Sequence, residues 1–244
     1  MKRIAFVGPS LPVADRSRFS GRIALRAPAR KGDLLLAASD GAAVIGLADG
    51  LFENSPSVWH KEILYCLARG IVVAGGASMG ALRAAECDRF GMIGIGAIYE
   101  DYRSGRRNAD ADVAVLHAPA ELAHAALTVA LADVDATLDA MAANGQATAE
   151  EHAALHEAAR RLNFRDRSWK ALILEAGKGG ACGEDLGARV RANIVARKRQ
   201  DCMELLEYVA RVEPGTVPRP AFDLQPSAFL TGLLQQLDPS PQRR

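Results

Sequence analysis

The pentapeptide Gly76-Ala77-Ser78-Met79-Gly80 holds the residues of this sequence best suited to chemistry. It follows an apolar run at Ile71 to Ala74 and opens a helical pattern from Met79 to Phe90, so Ser78 is expected on a tight strand-to-helix turn. Small neighbours let the backbone bend there and leave the hydroxyl above the sheet rim. The N–H groups of Met79 and Gly80, at the helix start, then become candidate oxyanion donors. The string alone is not specific. A glycine-rich turn that packs strand on helix, or one that cradles a ligand phosphate, uses the same residue types, and the two readings weigh equally on residues alone.

A serine nucleophile needs a base. His117 lies beside Pro119, and His124, His152 and His156 fall in an Ala-rich half where surface or core placement is the ordinary expectation, so a Ser-His-Asp triad has little support. Lys61, in Trp59-His60-Lys61-Glu62-Ile63-Leu64, is the other candidate, on a helix that runs straight into the strand before Ser78. A solvated surface lysine is the usual role of such a residue. Asp49, followed by Gly50, ends a strand where ligands of α/β folds gather, although a turn aspartate explains it equally well. Arg83 and Glu86 are spaced for an intrahelical pair, and Tyr99, Tyr102 and Asp112 are candidates for an opposite wall. Gly76 completes the expected cleft-lining set. Arg16, Arg18, Arg22, Arg26, Arg30 and Lys31 run without an intervening acid, a pattern suited to an acidic partner and equally to a solvated loop.

These residues need a scaffold, and the chain is long enough to supply one. Its 244 residues, 49% hydrophobic and 24% charged, read as one or two globular domains, and a net charge of +1 gives no global field toward nucleic acid or membrane. Short β-branched runs at Ile4 to Val7, Ala43 to Leu47, Ile71 to Ala74 and Val113 to Leu116 alternate with helical patterns at Lys31 to Ser39, Ser57 to Arg69 and Met79 to Phe90. That order predicts an α/β fold with a mainly parallel sheet flanked by helices over residues 1–118. An all-helical half over 119–212 follows, with helices at Pro119 to Ala143, Thr148 to Leu162, Arg167 to Ala176 and Glu184 to Val212, and then a proline-rich tail over 213–244, read as a loosely attached docking segment. Ser55-Pro56 marks a helix start, and only Ser227 to Leu237 of the tail has helical rhythm.

Cofactor signals are absent. Gly8-Pro9-Ser10 lacks the GxGxxG or GKS pattern of a nucleotide site, and Cys66, Cys87, Cys182 and Cys202 are too scattered for a zinc site or a disulfide framework, so reduced thiols are expected. The apolar start stops at Gly8-Pro9, short of a signal-peptide core, and Gly70 to Leu82 is too short to cross a bilayer; a cytoplasmic protein is expected.

Several of these motifs occur together in one family. Val7-Gly8-Pro9-Ser10-Leu11, Gly32-Asp33, Asp49-Gly50-Leu51-Phe52, His60-Lys61-Glu62-Ile63-Leu64 and the run from Ser78 to Glu86, followed by Phe90-Gly91-Met92 and Gly94-Ile95-Gly96, resemble the TfuA-like family over about residues 1–118. Gly75-Gly76-Ala77 before the serine departs mildly from the family pattern. The resemblance implies a partner of YcaO enzymes in thioamidation that hydrolyses the thiocarboxylate of a ThiS-like carrier and releases sulfide, with a Ser-Lys pair matched here by Ser78 and Lys61. Two other readings remain: a non-catalytic adaptor that recruits peptide or carrier to a YcaO enzyme, and an unrelated serine esterase. A persulfide on Cys66 or Cys87 is a minor variant, since no basic motif flanks either.

Overall fold

Alternation in the first strand sets the layering: Ile4 and Phe6 turn to one face of the sheet, Ala5 and Val7 to the other. In the computed structural model, which describes residues 1–51, 56–180, 183, 185–218, 222–225 and 227–237, the strands β1 (Lys2–Phe6), β2 (Ala24–Arg26), β3 (Ala42–Leu47), β4 (Val72–Gly76) and β5 (Ile93–Ile95) pair in parallel in the order β2-β1-β3-β4-β5. Helices α1 (Val13–Arg16), α2 (Asp33–Ser39), α3 (His60–Ala68), α4 (Met79–Cys87) and α5 (Ala97–Arg103) alternate with them. The fold is α/β. The strand order reverses between β1 and β3, so the crevice outside the carboxyl ends of these strands is where ligands of open α/β sheets bind. Phe52, Ser55, Cys182 and Glu184 lie outside the described residues.

Beyond residue 130 the described elements are mainly helices: α6 (Leu131–Ala143), α7 (Ala149–Arg161), α8 (Trp169–Gly177), α9 (Leu186–Ala192), α10 (Arg197–Arg211) and α11 (Ala228–Leu237). α6 to α9 enclose a core of their own around Leu138, Met141, Leu155, Leu172 and Val190. α10 does not join it. Its Cys202, Leu205, Leu206 and Val209 pack on Ala5, Val44, Val72 and Ala74, opposite the face that α2, α3 and α4 cover with Leu34, Ile63 and Met79. Each such buried aliphatic side chain contributes about 1.5–3 kcal/mol. The second face of the N-terminal sheet is therefore closed by a helix from beyond residue 118.

Four expectations change. Val113 to Leu116 is not a strand: the place beside β4 is taken by Ile93–Ile95, and the segment instead enters a hairpin closed by a His117↔Ala126 bridge. Like Ala24–Arg26 at the other edge, β5 is three residues long, too short for a propensity window to register. The helix expected from Pro119 begins at Leu131, because Pro119 to Ala130 form that hairpin, where Thr128 Oγ1 accepts the Leu116 N–H at 2.7 Å. The helix expected from Glu184 to Val212 breaks between α9 and α10, where Thr137 Oγ1 accepts the Val195 N–H and Asp133 Oδ1 accepts the Lys198 N–H, giving the freed amides partners. The tail is docked in part: Leu230 and Leu233 of α11 pack against Leu35 of α2. Among the described residues no helix is long and apolar enough to cross a membrane.

Candidate active site

The link from β4 to α4 is a γ-turn. The Ser78 N–H donates to the Gly76 carbonyl at 2.7 Å across Ala77, which holds φ at +65° although it carries a Cβ. That strained conformation sits one residue before Ser78 and aims its side chain off the sheet rim. The flanking glycines answer to packing. A Cβ on Gly80 would lie 1.6 Å from the Leu47 carbonyl oxygen, and one on Gly76 would lie 2.6 Å from that of Ile95, so only glycine lets α4 start this close to β3 and β4 meet β5. Of the two expected oxyanion donors, the Gly80 N–H is spent on the Ala48 carbonyl at 3.1 Å, whereas the Met79 N–H has no acceptor among the described residues.

Ser78 is 2% exposed, and its Oγ lies 3.5 Å from the carbonyl oxygen of Val113. That is long for a hydroxyl hydrogen bond, so the hydroxyl is weakly held and free to turn to a better acceptor. The same oxygen accepts a 2.7 Å hydrogen bond from Lys198 Nζ, on α10. Lys198 is 3% exposed, and among the described residues no carboxylate stands at ion-pair distance from it. Its backbone is fixed from two sides. Asp133 of α6 accepts its N–H at 2.8 Å, and Asp201, one turn on, accepts the Ile98 N–H at 2.7 Å and so ties α10 to the start of α5. Burial raises the Asp133 carboxyl above the usual carboxylate range against the hydrogen bond from Lys198, and burial pushes Asp201 up to about 6. The structure therefore places a buried serine and a buried lysine, from the two halves of the chain, at one carbonyl.

Lys61 lines a groove on α3. It is half-buried on α3 in a surface groove of about 350 Å³ with Trp59, His60, Ser227 and Phe229, and no described hydrogen bond or shared acceptor connects it to Ser78. Asp49 is close to the site but fully engaged: its carboxylate accepts the N–H groups of Gly8 at 2.7 Å and Ser10 at 3.0 Å and the Ser10 hydroxyl at 2.7 Å, which pins the loop after β1 across the switch point. Arg83 bonds the Val58 carbonyl and Glu86, and Glu86 also meets His60 at 2.8 Å, a cluster that ties α3 to α4. Burial acts to raise the Glu86 carboxyl, but the bonds from His60 and Arg83 outweigh it and hold the group low. Tyr99 packs its ring on Gly94 and donates its hydroxyl to Asp88, at the end of α4 opposite Ser78. The motif pair Gly32 and Glu62 is structural too: the Glu62 carboxyl accepts the Gly32 and Trp59 N–H groups, and burial pushes it up to about 7.

The basic stretch is dispersed. Arg16 bonds the Leu11 and Ala123 carbonyls, Arg22 pairs with Glu207, Arg26 with Asp40, and Lys31 lies over the Trp59 ring. Among the described residues no hydrogen bond joins Ser78 to a histidine; His117 and His124 stand edge to face with each other, 5.4 Å between ring centroids. The described cysteines are buried, and burial pushes the Cys66 thiol up to about 12 and the Cys87 thiol up to about 11, which removes thiolate character. Lys198 was legible only indirectly. It falls in register with Cys202, Leu205 and Val209 on the apolar stripe of its helix, a place lysine seldom occupies.

A family model described as TfuA-like protein matches residues 49–168, a span that contains Lys61, Ser78 and Val113. No curated protein matches the chain.

Proposed function

From a chain that is TfuA-like over residues 49–168, we propose a hydrolase that cleaves the thiocarboxylate at the C-terminus of a ThiS-like carrier protein, with Ser78 as nucleophile and Lys198 as base. The match supports a YcaO-associated role in thioamidation, and the hydrolytic step is our reading within that role. One observation carries it: the Ser78 hydroxyl and the Lys198 amine converge on the Val113 carbonyl in a water-poor site at the carboxyl end of the sheet.

The chemistry follows from the atoms present. The Lys198 amine takes the hydroxyl proton while Ser78 Oγ bonds to the thiocarboxyl carbon, and the Met79 N–H, backed by the start of α4, faces the developing oxyanion. The carbon–sulfur bond then breaks and the sulfur leaves as hydrosulfide, taking the proton that the lysine accepted from Ser78 and so freeing the amine for the next step. Water, deprotonated by Lys198, attacks the seryl ester, releasing the carrier as its carboxylate and restoring the serine. The balance is thiocarboxylate plus water to carboxylate, hydrosulfide and one proton, with no oxidant. Hydrosulfide is the sulfur source the YcaO partner needs.

The adaptor reading has its own support in the exposed Phe229, 6.4 Å centroid to centroid from Trp59 in the groove that holds Lys61. Sulfide release from a thiocarboxylated carrier separates the two. Ser78→Ala should lose roughly 10³-fold or more of the wild-type rate, and a wild-type protein that releases no sulfide leaves the adaptor.

A further inference from the structure

Two motif residues that the Ser-Lys site leaves unused, His60 and Lys61, line one groove with Trp59 and with Phe229 of α11. The Trp59 and Phe229 rings stand edge to face, 6.4 Å between centroids and 88° between planes, and form the two sides of a wedge. Phe229 is 77% exposed, although its neighbours Leu230 and Leu233 are buried against Leu35. Two ammonium groups flank the rings: Lys31 Nζ lies 4.5 Å from the Trp59 ring centroid, and Lys61 is in the groove itself. Among the described residues neither lysine has a carboxylate at ion-pair distance. The carboxylates of α2, α3 and α4 are committed: Asp33 to the Arg30 N–H, Glu62 to the Gly32 and Trp59 N–H groups, and Glu86 to Arg83 and His60. α11 brings no acid, since Ser227 to Leu237 holds no charged residue.

We propose that this groove docks an acidic segment of a partner protein, with one large apolar side chain seated between Trp59 and Phe229 and flanking carboxylates on Lys31 and Lys61. The occupant follows from charge and shape. Two lysines without an acid of their own, beside an exposed aromatic floor, complement a segment that carries the opposite charge on either side of an apolar anchor. The wedge suits a side chain better than a nucleobase. Stacking needs an open ring face, and here Lys31 lies over Trp59 while the second ring stands perpendicular to it. The surface is separate from the hydrolytic chemistry, so it stands or falls independently of the role of Ser78.

The test measures fluorescence anisotropy on the full chain with two labelled peptides, each with one central leucine, the first flanked by glutamates and the second by lysines. The glutamate peptide should bind at least about tenfold more tightly than the lysine peptide, and its affinity should fall several-fold as salt rises from about 0.05 M to about 0.5 M. Phe229→Ser should raise the Kd of the glutamate peptide at least about tenfold with the thermal midpoint unchanged. The double variant Lys31→Glu, Lys61→Glu should reverse the preference between the two peptides. Equal affinity for both peptides, no binding of either, or wild-type affinity in Phe229→Ser overturns the docking site. Tighter binding of a labelled oligothymidylate than of the glutamate peptide overturns it in favour of a nucleic acid.

Discussion

Lys198 Nζ and Ser78 Oγ meet at one backbone oxygen, that of Val113, although they come from opposite halves of the chain. Neither half holds the pair alone: the γ-turn at Ala77 presents the serine, and α10, packed on the far face of the same sheet, presents the lysine.

Substitution of the two lysines distinguishes the bases. Lys198→Met keeps the length of the side chain and removes the amine, and it should lower sulfide release by roughly 10²–10³-fold with the fold retained by circular dichroism. Lys61→Ala, in its surface groove, should stay within about twofold. The reverse ranking would return the base to α3.

Lys198→Arg tests proton transfer separately from charge. Arginine keeps its proton throughout the accessible pH range, so this variant should be close to inactive. An arginine variant with wild-type sulfide release would remove Lys198 as base.

Gly80→Ala should destabilise the protein by several kcal/mol, since its Cβ would be driven into the Leu47 carbonyl and α4 would have to move off β3. Thermal unfolding of the variant measures this; a shift within error would mean that the turn adapts and that its glycines are not set by packing.

Stability should fall between pH 5 and pH 8 through Glu62. Its folded carboxyl is pushed by burial up to about 7 from 4.5, so the folded state holds a proton that the unfolded state has released, and stability present below about 4.5 is lost as the pH rises through about 7. The full effect is on the order of 3 kcal/mol. Glu62→Gln should flatten that part of the profile in urea titrations at both pH values, and an undiminished slope would assign it to another group such as Asp201.

Much of the scaffold could be read from the sequence because its signals are local. Ser78 on a strand-to-helix turn follows from the apolar run, the small residues and the helix start within a dozen positions. What escaped is what tertiary contact decides. Three-residue edge strands such as Ile93–Ile95 owe their existence to a neighbour's ladder rather than to propensity. Val113 to Leu116 has a strand's composition, yet it pairs with no strand of the sheet and leads instead into the hairpin closed at His117 and Ala126. Lys198 lies far from Ser78 in sequence, and a register of one lysine with Cys202, Leu205 and Val209 marks it as buried without saying what it is buried against. Lys61 lines a surface groove on α3 with Trp59 and Phe229, a placement that closeness to Ser78 along the chain does not foretell.

The most direct test of the account is to look for the acyl group on the serine. Wild-type protein mixed with a thiocarboxylated ThiS-like carrier and quenched within the first turnover should give, by intact-mass and peptide spectrometry, an ester between the carrier C-terminus and Ser78, with hydrosulfide released in step; Ser78→Ala should give neither. Steady sulfide release from the Ser78→Ala variant, or turnover of the wild type with the acyl group found on another residue, would contradict it.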